Sequence, residues 1–288
     1  LGDKFEEATN GRYKMVIYPN GVLGEQGSMA EFIRTGALDM AIVPCSVSEG
    51  YDSDFAIVGA PYLYDDMDHL RRTTLSGAFD ELFKSTRKFN FEVLTVYTAG
   101  ERNIYANKPI NTPDDLKGLK MRVQQSPASI KMCNEFGAAA SPMSFGEVYT
   151  AIQQGVIDGA ENNELALTDN KHGEVAKYYS YTMHQMIPDV LIANYKLLND
   201  MSEEDREVFE EAARLSTETE LKDWETDVEA AKKTAEEDMG VQFLYPDISL
   251  FKDKVKNVQK EMLENNPNIK DLYEHIQKYN KQYEGEGK

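Results

Sequence analysis

A ten-residue pattern that occurs twice constrains the fold of this chain more than any other feature of its sequence. Residues 32–41 and 151–160 both read as two apolar residues, a polar pair, a glycine, two apolar residues, an aspartate, one further residue and an alanine. Because glycine commonly ends helices, each copy predicts a helix that stops there and turns into a buried strand. Each copy also closes a strand-to-helix unit, at residues 13–34 and 119–154. Two similar halves predict two doubly wound α/β domains that face each other, with chance similarity as the alternative.

Apolar runs predict the other strands and helices. Residues 38–43 are almost continuously apolar, which is typical of a buried parallel strand. The other predicted strands are 13–18, 56–60, 92–97, 102–106, 119–123, 190–195 and 241–245. The predicted helices are 25–36, 66–89, 127–136 and 146–154, and a short one that Thr112 caps with Pro113 in its first position.

A long acidic helix is predicted over residues 201–240. Ser202 is followed by acidic residues, as at a capped helix start, and apolar residues then recur every three to five positions. One helix, or two joined by a kink, would be about 57 Å long at about 1.5 Å per residue, enough to lie across two domains. The segment holds 15 acidic and 5 basic residues. This charge indicates a solvated face, or alternatively a docking surface for a positively charged partner.

Charge and hydropathy exclude several kinds of partner. The 288 residues, a length that suggests two domains, include 50 acidic and 31 basic ones, for a net charge of −19. That balance disfavours nucleic acid and anionic membrane surfaces, which need clustered lysine and arginine. No apolar stretch is long enough to span a bilayer. The chain begins without methionine, so we interpret its start as processed or truncated, and the lack of a signal peptide carries no weight.

Signatures of catalysis and of metal binding are absent from the sequence. Cys45 and Cys133 lie in apolar contexts and are predicted to be buried free thiols. The four histidines form no metal-binding motif, and no glycine-rich phosphate loop or nucleophile elbow occurs. We therefore expect no catalytic residue, no metal and no cofactor.

Two arginines at strand positions suggest an anion site. Arg122 lies inside the predicted strand 119–123, and a buried arginine needs either a protein carboxylate or a ligand carboxylate as partner. Arg102 begins another strand, so the two could form a carboxylate clamp, with a structural salt bridge as the alternative for Arg122. Asn162 follows a strand, where it could bind a ligand oxygen or form a turn. Phe145 begins a helix, where it could stack on a ligand or fill the core.

Three stretches carry a resemblance to a known family. They are residues 18–24 (YPNGVLG), 111–123 (NTPDDLKGLKMRV) and 145–162 (FGEVYTAIQQGVIDGAEN). The chain resembles the DctP-type extracytoplasmic receptors, the solute-binding proteins of tripartite ATP-independent periplasmic (TRAP) transporters, from end to end. The resemblance implies a periplasmic-binding-protein-like fold in which two α/β domains face a cleft. Hinge strands join the domains, and the long helix spans both.

The resemblance also implies the extent of the domains. Domain I is expected to comprise residues 1–98 and 190–215, and domain II residues 99–189 and 240–260. The long helix takes residues 201–240, and C-terminal helices take 261–288. Family members usually begin with a further strand and helix, which contribute a ligand contact, so we expect that part of domain I and of its site to be missing here.

The family pattern implies a set of ligand-binding residues. Arg122 matches the selectivity-determining arginine that pairs with the ligand carboxylate, and Arg102 matches a second basic residue near it. Asn162 matches an asparagine that hydrogen-bonds the ligand, and Phe145 an aromatic residue beside it. His184 matches a histidine near the hinge. Three further candidates lie on loops of domain I that would face the cleft, namely Glu25, Ser46 and Tyr62.

The resemblance implies a binding protein that captures a small organic anion and delivers it to the membrane subunits of a TRAP transporter. Residues 44–47 (PCSV) stand where sialate-binding members tend to carry charges, and Asn163 replaces a common proline. A smaller sugar acid such as a hexuronate is therefore expected before sialate, and C4-dicarboxylates remain open. We expect a monomer in the periplasm, or on the outer face of the cytoplasmic membrane if lipid-anchored.

Two other functional classes remain as alternatives. An enzyme acting on small organic acids would need a base beside Arg122, for which Glu147 and His184 are the candidates. The ligand-binding domain of a sensor would use the same capture chemistry and differ in its membrane partner.

Overall fold

The computed structural model describes residues 1–286, which form two β-sheets with helices packed around them. The strands are β1 (Met40–Pro44), β2 (Phe91–Tyr97), β3 (Arg102–Ala106), β4 (Lys120–Val123), β5 (Ala139–Pro142), β6 (Gly159–Asn162), β7 (Tyr178–Gln185), β8 (Asp189–Asn194) and β9 (Gln242–Leu244). The α-helices are α1 (Gly2–Ala8), α2 (Gln26–Thr35), α3 (Met67–Leu75), α4 (Asp80–Ser85), α5 (Pro127–Glu135), α6 (Val148–Gln153), α7 (Leu165–Thr168), α8 (His172–Val175), α9 (Tyr195–Asp200), α10 (Glu203–Glu237), α11 (Ile248–Val255), α12 (Val258–Asn265) and α13 (Lys270–Glu286).

The first sheet has the strand order β1–β8–β2, and both of its strand pairs are antiparallel. The prediction of a parallel strand at residues 38–43 was therefore wrong. In this sheet β1 is an edge strand, which explains why Ile42 is 52% exposed. An apolar run by itself does not distinguish a strand buried on both faces from an edge strand with one open face.

Two further strand predictions were wrong. Residues 13–18 form no strand, and no described segment pairs with them, so Ile17 is 75% exposed. Residues 56–60 comprise the end of a 3₁₀ helix, Ser53–Ile57, and the turn after it, and this helix begins where the Asp52 side chain accepts a hydrogen bond from the Asp54 amide. In both cases the missing condition for a strand is a hydrogen-bonded neighbour, which a local sequence pattern does not reveal.

The second sheet has the order β5–β4–β6–β3–β7–β9 and is mixed. Strand β4 runs parallel to β5 and β6, while β3 runs antiparallel to both of its neighbours. Alternate residues of β3 enter different core clusters, with Ile104 on one face and Tyr105 on the other. Both faces are therefore covered, as predicted for an α/β domain.

Both copies of the sequence repeat form the turn that they predict. Helix α2 ends at Gly36, which has φ +79°, and the chain continues into β1. Helix α6 is followed by Gly155, which has φ +69°, before β6. In the second copy, Asp158 also accepts a hydrogen bond from the Lys120 amide at 2.8 Å, which fixes the turn against the start of β4.

The chain crosses between the two sheets at residues 98–101 and 186–188, and α10 lies beside the first crossing. This helix is unbroken over 35 residues and packs against β2 of the first sheet and α7 of the second sheet. Ser202 caps it, as predicted. A Cβ at Gly100 would lie 2.7 Å from the Trp224 ring, so the crossing can pass beneath α10 only because residue 100 is glycine.

The architecture of two α/β sheets with a long helix across them agrees with the predicted fold class. The domain boundaries stay a prediction, and residues 287–288 of the predicted C-terminal segment lie outside the described residues. Helix α13 packs on the core of the first sheet through Ile276. Cys45 and Cys133 are buried free thiols, as predicted.

Candidate ligand-binding site

A polar cavity of about 260 Å³ lies between the two sheets, beside the chain crossings and α10. An adjoining cavity of about 140 Å³ shares some of its walls, including Arg122 and Phe145. The first sheet and its loops supply one side, and the second sheet supplies the other. The larger cavity is lined by Gln26, Pro44, Ala99, Arg102, Arg122, Gln124, Phe145, Asn162, Asn163, Leu165, Ala166, Asp169, Asn170, Asp189 and Trp224.

Arg122 lies in β4 and is only 3% exposed, yet no carboxylate of the described chain forms an ion pair with it. Its Nε and Nη2 donate to the Met143 carbonyl oxygen at 3.1 and 3.0 Å, which fixes the plane of the guanidinium. The Phe145 ring lies 5.5 Å from the guanidinium carbon. Burial lowers the pKa of Arg122 because the charged form loses hydration. The protein thus holds an oriented cation without a counter-ion at the cavity wall.

Arg102 has the opposite surroundings, because it is fully neutralised by Glu161. Its Nη2 donates to Oε1 of Glu161 at 3.0 Å, and its Nε donates to Oε2 of the same carboxylate. Burial alone would raise the pKa of Glu161, but the charge of Arg102, its hydrogen bonds to the carboxylate and the neighbouring His184 lower it to about 2. The pair is 3% and 4% exposed, so Arg102 serves as a structural cation.

Arg102 also orients Asn162. Its Nη1 donates to Oδ1 of Asn162 at 3.1 Å, and the Asn163 amide donates to the same oxygen at 2.9 Å. Both bonds engage the oxygen, and in residues 1–286 no acceptor takes a hydrogen bond from its Nδ2. Asn162 therefore lines the cavity with an unused donor whose direction Arg102 fixes.

Six of the eight predicted site residues line these two cavities. Arg102 and Asn162 line the larger one, Glu25 and Ser46 line the adjoining one, and Arg122 and Phe145 line both. The cation–π contact with Arg122 shows that Phe145 contributes to the site as well as to the core.

His184 and Tyr62 line neither cavity in this structure, and ligand binding by these two residues stays a prediction. His184 is fully buried behind Glu161, with its Nε2 3.6 Å from Oε2 of Glu161 and its Nδ1 2.8 Å from the Thr182 hydroxyl. Tyr62 donates its hydroxyl to the Thr182 carbonyl oxygen at 2.8 Å. Both side chains are held by the second sheet, which explains why they do not reach the cavity.

The two bases considered for an enzyme are engaged elsewhere. Glu147 accepts a hydrogen bond from the Ser144 amide at 3.2 Å and so caps its own helix. Burial lowers the pKa of His184, which outweighs the opposing effect of Glu161. Neither residue lines the cavities beside Arg122.

Sequence reasoning missed several residues that line the cavity. Gln124 directly follows the predicted strand 119–123, and Asp189 directly precedes the predicted strand 190–195, so attention to strand ends could have found both. Trp224 lies on the long helix, where no sequence signal distinguishes it from a surface residue. Among the described residues, no group of three or more His, Cys, Asp or Glu could hold a metal ion.

Comparison with known proteins gives the family. The profile of the bacterial extracellular solute-binding proteins, family 7 (DctP), matches residues 1–266. The protein YiiZ of Salmonella typhimurium is 35% identical over 279 residues, which cover 96% of this chain and 85% of YiiZ.

Solved structures that resemble this chain belong to the same class of solute-binding proteins. A TRAP periplasmic solute-binding protein from Anaerococcus prevotii, crystallised with bound α/β-D-glucuronate, is 44% identical with a TM-score of 0.95, covering 98% of this chain and 92% of that one. A TRAP solute-binding protein from Xanthobacter autotrophicus with bound β-D-galacturonate is 30% identical with a TM-score of 0.91, covering 96% and 92%.

The chain belongs to the DctP family of bacterial extracellular solute-binding proteins. Members of this family and the solved neighbours are binding receptors that serve TRAP transporters, not enzymes. No helix in residues 1–286 has the length and apolar composition needed to cross a membrane.

Proposed function

We propose that this protein captures a hexuronate through the ligand carboxylate and Arg122 and delivers it to the membrane subunits of a TRAP transporter. The observation that carries the proposal is the buried, oriented guanidinium of Arg122, which forms no ion pair with a carboxylate of residues 1–286 and lines the cavity between the sheets. A carboxylate of the ligand would supply the missing charge and accept two parallel hydrogen bonds. Closure around the ligand would exclude water and strengthen these bonds.

The rest of the cavity suits a hydroxylated molecule. Gln124, Asn162 and Asn163 provide amide groups around Arg122. Amides both donate and accept hydrogen bonds, which matches the hydroxyl groups of a sugar ring. Uronates bound to relatives that align with nearly the whole of this chain support the same choice.

A C4-dicarboxylate would need a second basic group for its second charge. Arg102 is the other arginine of the cavity wall, and Glu161 already neutralises it. Sialate requires a larger set of contacts, and the first-sheet loop offers Pro44 and Ser46 instead of charges. We therefore propose a hexuronate as the ligand in preference to a C4-dicarboxylate or sialate. We also propose a monomeric receptor in the periplasm or on the outer face of the cytoplasmic membrane.

A ligand panel tests the proposal. Thermal unfolding of the purified protein is measured with D-glucuronate, D-galacturonate, N-acetylneuraminate, succinate and D-glucose. A ligand at 100 times its Kd adds about 2.7 kcal/mol to the free energy of unfolding, and we expect this for at least one hexuronate and not for D-glucose. Stabilisation by succinate or N-acetylneuraminate alone would contradict the hexuronate assignment, and stabilisation by D-glucose would contradict the role of Arg122.

A further inference from the structure

The carboxylate of Asp189 lines the larger cavity from the side opposite to Arg122. Asp189 is the first residue of β8, the central strand of the first sheet. Its backbone is in register with Pro44 of β1 and Tyr97 of β2, so strands on both sides fix its position. Arg122 belongs to the second sheet. The cavity therefore has a cation on one wall and a carboxylate on the other.

The carboxylate of Asp189 has no hydrogen-bond donor and no ion-pair partner within the described part of the chain. Burial raises its pKa to about 6, and the charge of Arg102 offsets the increase only in part. The donors of Arg102 are directed to Glu161 and Asn162, so Arg102 affects Asp189 through its field and not through a direct bond. Asp189 is half-buried, so water can reach its carboxylate in the ligand-free protein, but a ligand that fills the cavity has to supply donors in place of that water, because leaving the carboxylate without them is costly.

Two features of Asp189 limit the ligands that the cavity accepts. Hydroxyl groups can supply the missing donors, and hydrogen bonds to a carboxylate are stronger than those to a neutral acceptor. A second carboxylate at the same place would instead meet a like charge in surroundings with little water.

We propose that Asp189 is a specificity-determining residue that accepts hydrogen bonds from ligand hydroxyls and rejects ligands with a second carboxylate. This inference rests on the proposed function, in which Arg122 binds the first carboxylate. It explains how one cavity separates sugar acids from diacids. Arg122 holds the charged end of the ligand, and Asp189 requires that the other end be neutral and hydroxylated.

Calorimetric titration of Asp189→Asn tests the proposal with two probes. D-glucuronate has one carboxylate, and D-glucarate carries a carboxylate at each end of the same six-carbon chain. In the variant, we expect the Kd for D-glucuronate to rise about tenfold and the Kd for D-glucarate to fall. The Kd for D-glucarate divided by the Kd for D-glucuronate should therefore decrease more than tenfold. Asp253→Asn is the matched control, because Asp253 is an exposed aspartate of α11 that lines neither cavity. It should leave the ratio unchanged.

The unliganded proteins provide a second readout. Because the charge of Asp189 has no ion-pair partner among residues 1–286, Asp189→Asn should raise the Tm of the ligand-free protein while it weakens D-glucuronate binding. If Asp189 were instead a structural residue, Asp189→Asn would lower the Tm of the ligand-free protein. An unchanged Kd ratio, a lower Tm or a variant that fails to fold would each overturn the assignment of Asp189.

The same titrations separate this inference from the proposed function. One outcome is that the wild-type protein binds D-glucuronate and Arg122→Lys does not. If Asp189→Asn then has the same ratio of Kd values as the wild-type protein, only the role of Asp189 is rejected. If the wild-type protein binds no hexuronate at all, the proposed function fails and this inference fails with it.

Discussion

The surroundings of Arg102 and of Arg122 differ in one respect that decides what each arginine does. Both side chains are 3% exposed, and both line the cavity between the sheets. Arg102 meets a carboxylate of its own chain, Glu161, and is neutralised by it. Arg122 meets a carbonyl oxygen and an aromatic ring, neither of which carries a full charge. Equal burial therefore accompanies a structural ion pair in one place and, in the other, a guanidinium without an ion-pair partner among the described residues.

Removing the structural cation, Arg102, should lower the free energy of unfolding more than any other change that we propose. Arg102→Leu leaves Glu161 as a buried charge without its counter-ion, which typically costs about 3–5 kcal/mol. We expect urea unfolding at pH 7 to show a loss of this size. Arg122→Leu is the matched control and should leave the free energy of unfolding of the ligand-free protein unchanged or higher, since Arg122 forms no ion pair with the described residues and burial disfavours its charge. Equal losses in the two variants would remove the distinction between the arginines.

The pH dependence of stability should follow from the same ion pair. The pKa of Glu161 is about 2 in the folded protein, against an ordinary value of 4.5. The folded state therefore binds fewer protons between these values, so the contribution of Glu161 is complete above pH 4.5 and is lost as the pH falls through 2. A shift of this size corresponds to about 3 kcal/mol.

Urea unfolding between pH 2 and pH 5 measures this dependence. Wild-type stability should fall more steeply with decreasing pH than that of Glu161→Gln, which cannot titrate at this position. Parallel curves for the two proteins would show that Glu161 does not carry the effect. Arg34→Lys, an exposed change away from the pair, should reproduce the wild-type curve.

A conservative change at Arg122 should weaken ligand binding without changing the stability of the protein. Arg122→Lys replaces the planar fork with a point charge, and we expect the affinity for D-glucuronate to fall by about 2 kcal/mol, or about thirtyfold. The Tm of the ligand-free protein should stay the same, and calorimetric titration measures the affinity. Unchanged affinity would mean that Arg122, like Arg102, is structural.

The smallest effect should come from the aromatic ring beside Arg122. Phe145→Leu keeps an apolar side chain but removes the ring face that lies 5.5 Å from the guanidinium. A cation–π contact of this kind contributes about 1 kcal/mol, so D-glucuronate affinity should fall about fivefold. Phe243→Leu is a suitable control, since Phe243 packs on Tyr179 in the same sheet and away from the cavity. An equal loss in both variants would indicate a general packing effect.

Predictions from sequence succeeded where the cause is local. Gly36 and Gly155 ended their helices as expected, because glycine adopts positive φ without strain. Ser202 capped the long helix, and the absence of helix-breaking residues allowed it to continue unbroken. Two residues of the family pattern, Arg122 and Asn162, line the cavity, and ligand binding by them stays a prediction.

Predictions failed where a partner distant in sequence decides the result. The segment 13–18 has the composition of a strand but no neighbour to pair with among the described residues. Asp189 was overlooked although it directly precedes the predicted strand 190–195, because the sequence does not show that this strand end opens into a cavity. Tyr62 was placed on a loop facing the cleft, but its hydroxyl contacts Thr182, which is 120 residues away in sequence.

The sequence alone determined the helix ends, the long helix and the presence of two arginines at strand positions, since these depend on neighbours a few residues away. The tertiary structure decided which arginine remains free for a ligand. Strands β3 and β6 pair in an antiparallel register that sets Ile104 opposite Glu161, and Arg102 lies on the same face, two residues from Ile104. Glu161 thereby reaches Arg102 across 59 positions of sequence, while Arg122 in β4 receives no carboxylate. Register brings charges together irrespective of their separation along the chain, and for that reason it cannot be read from local sequence.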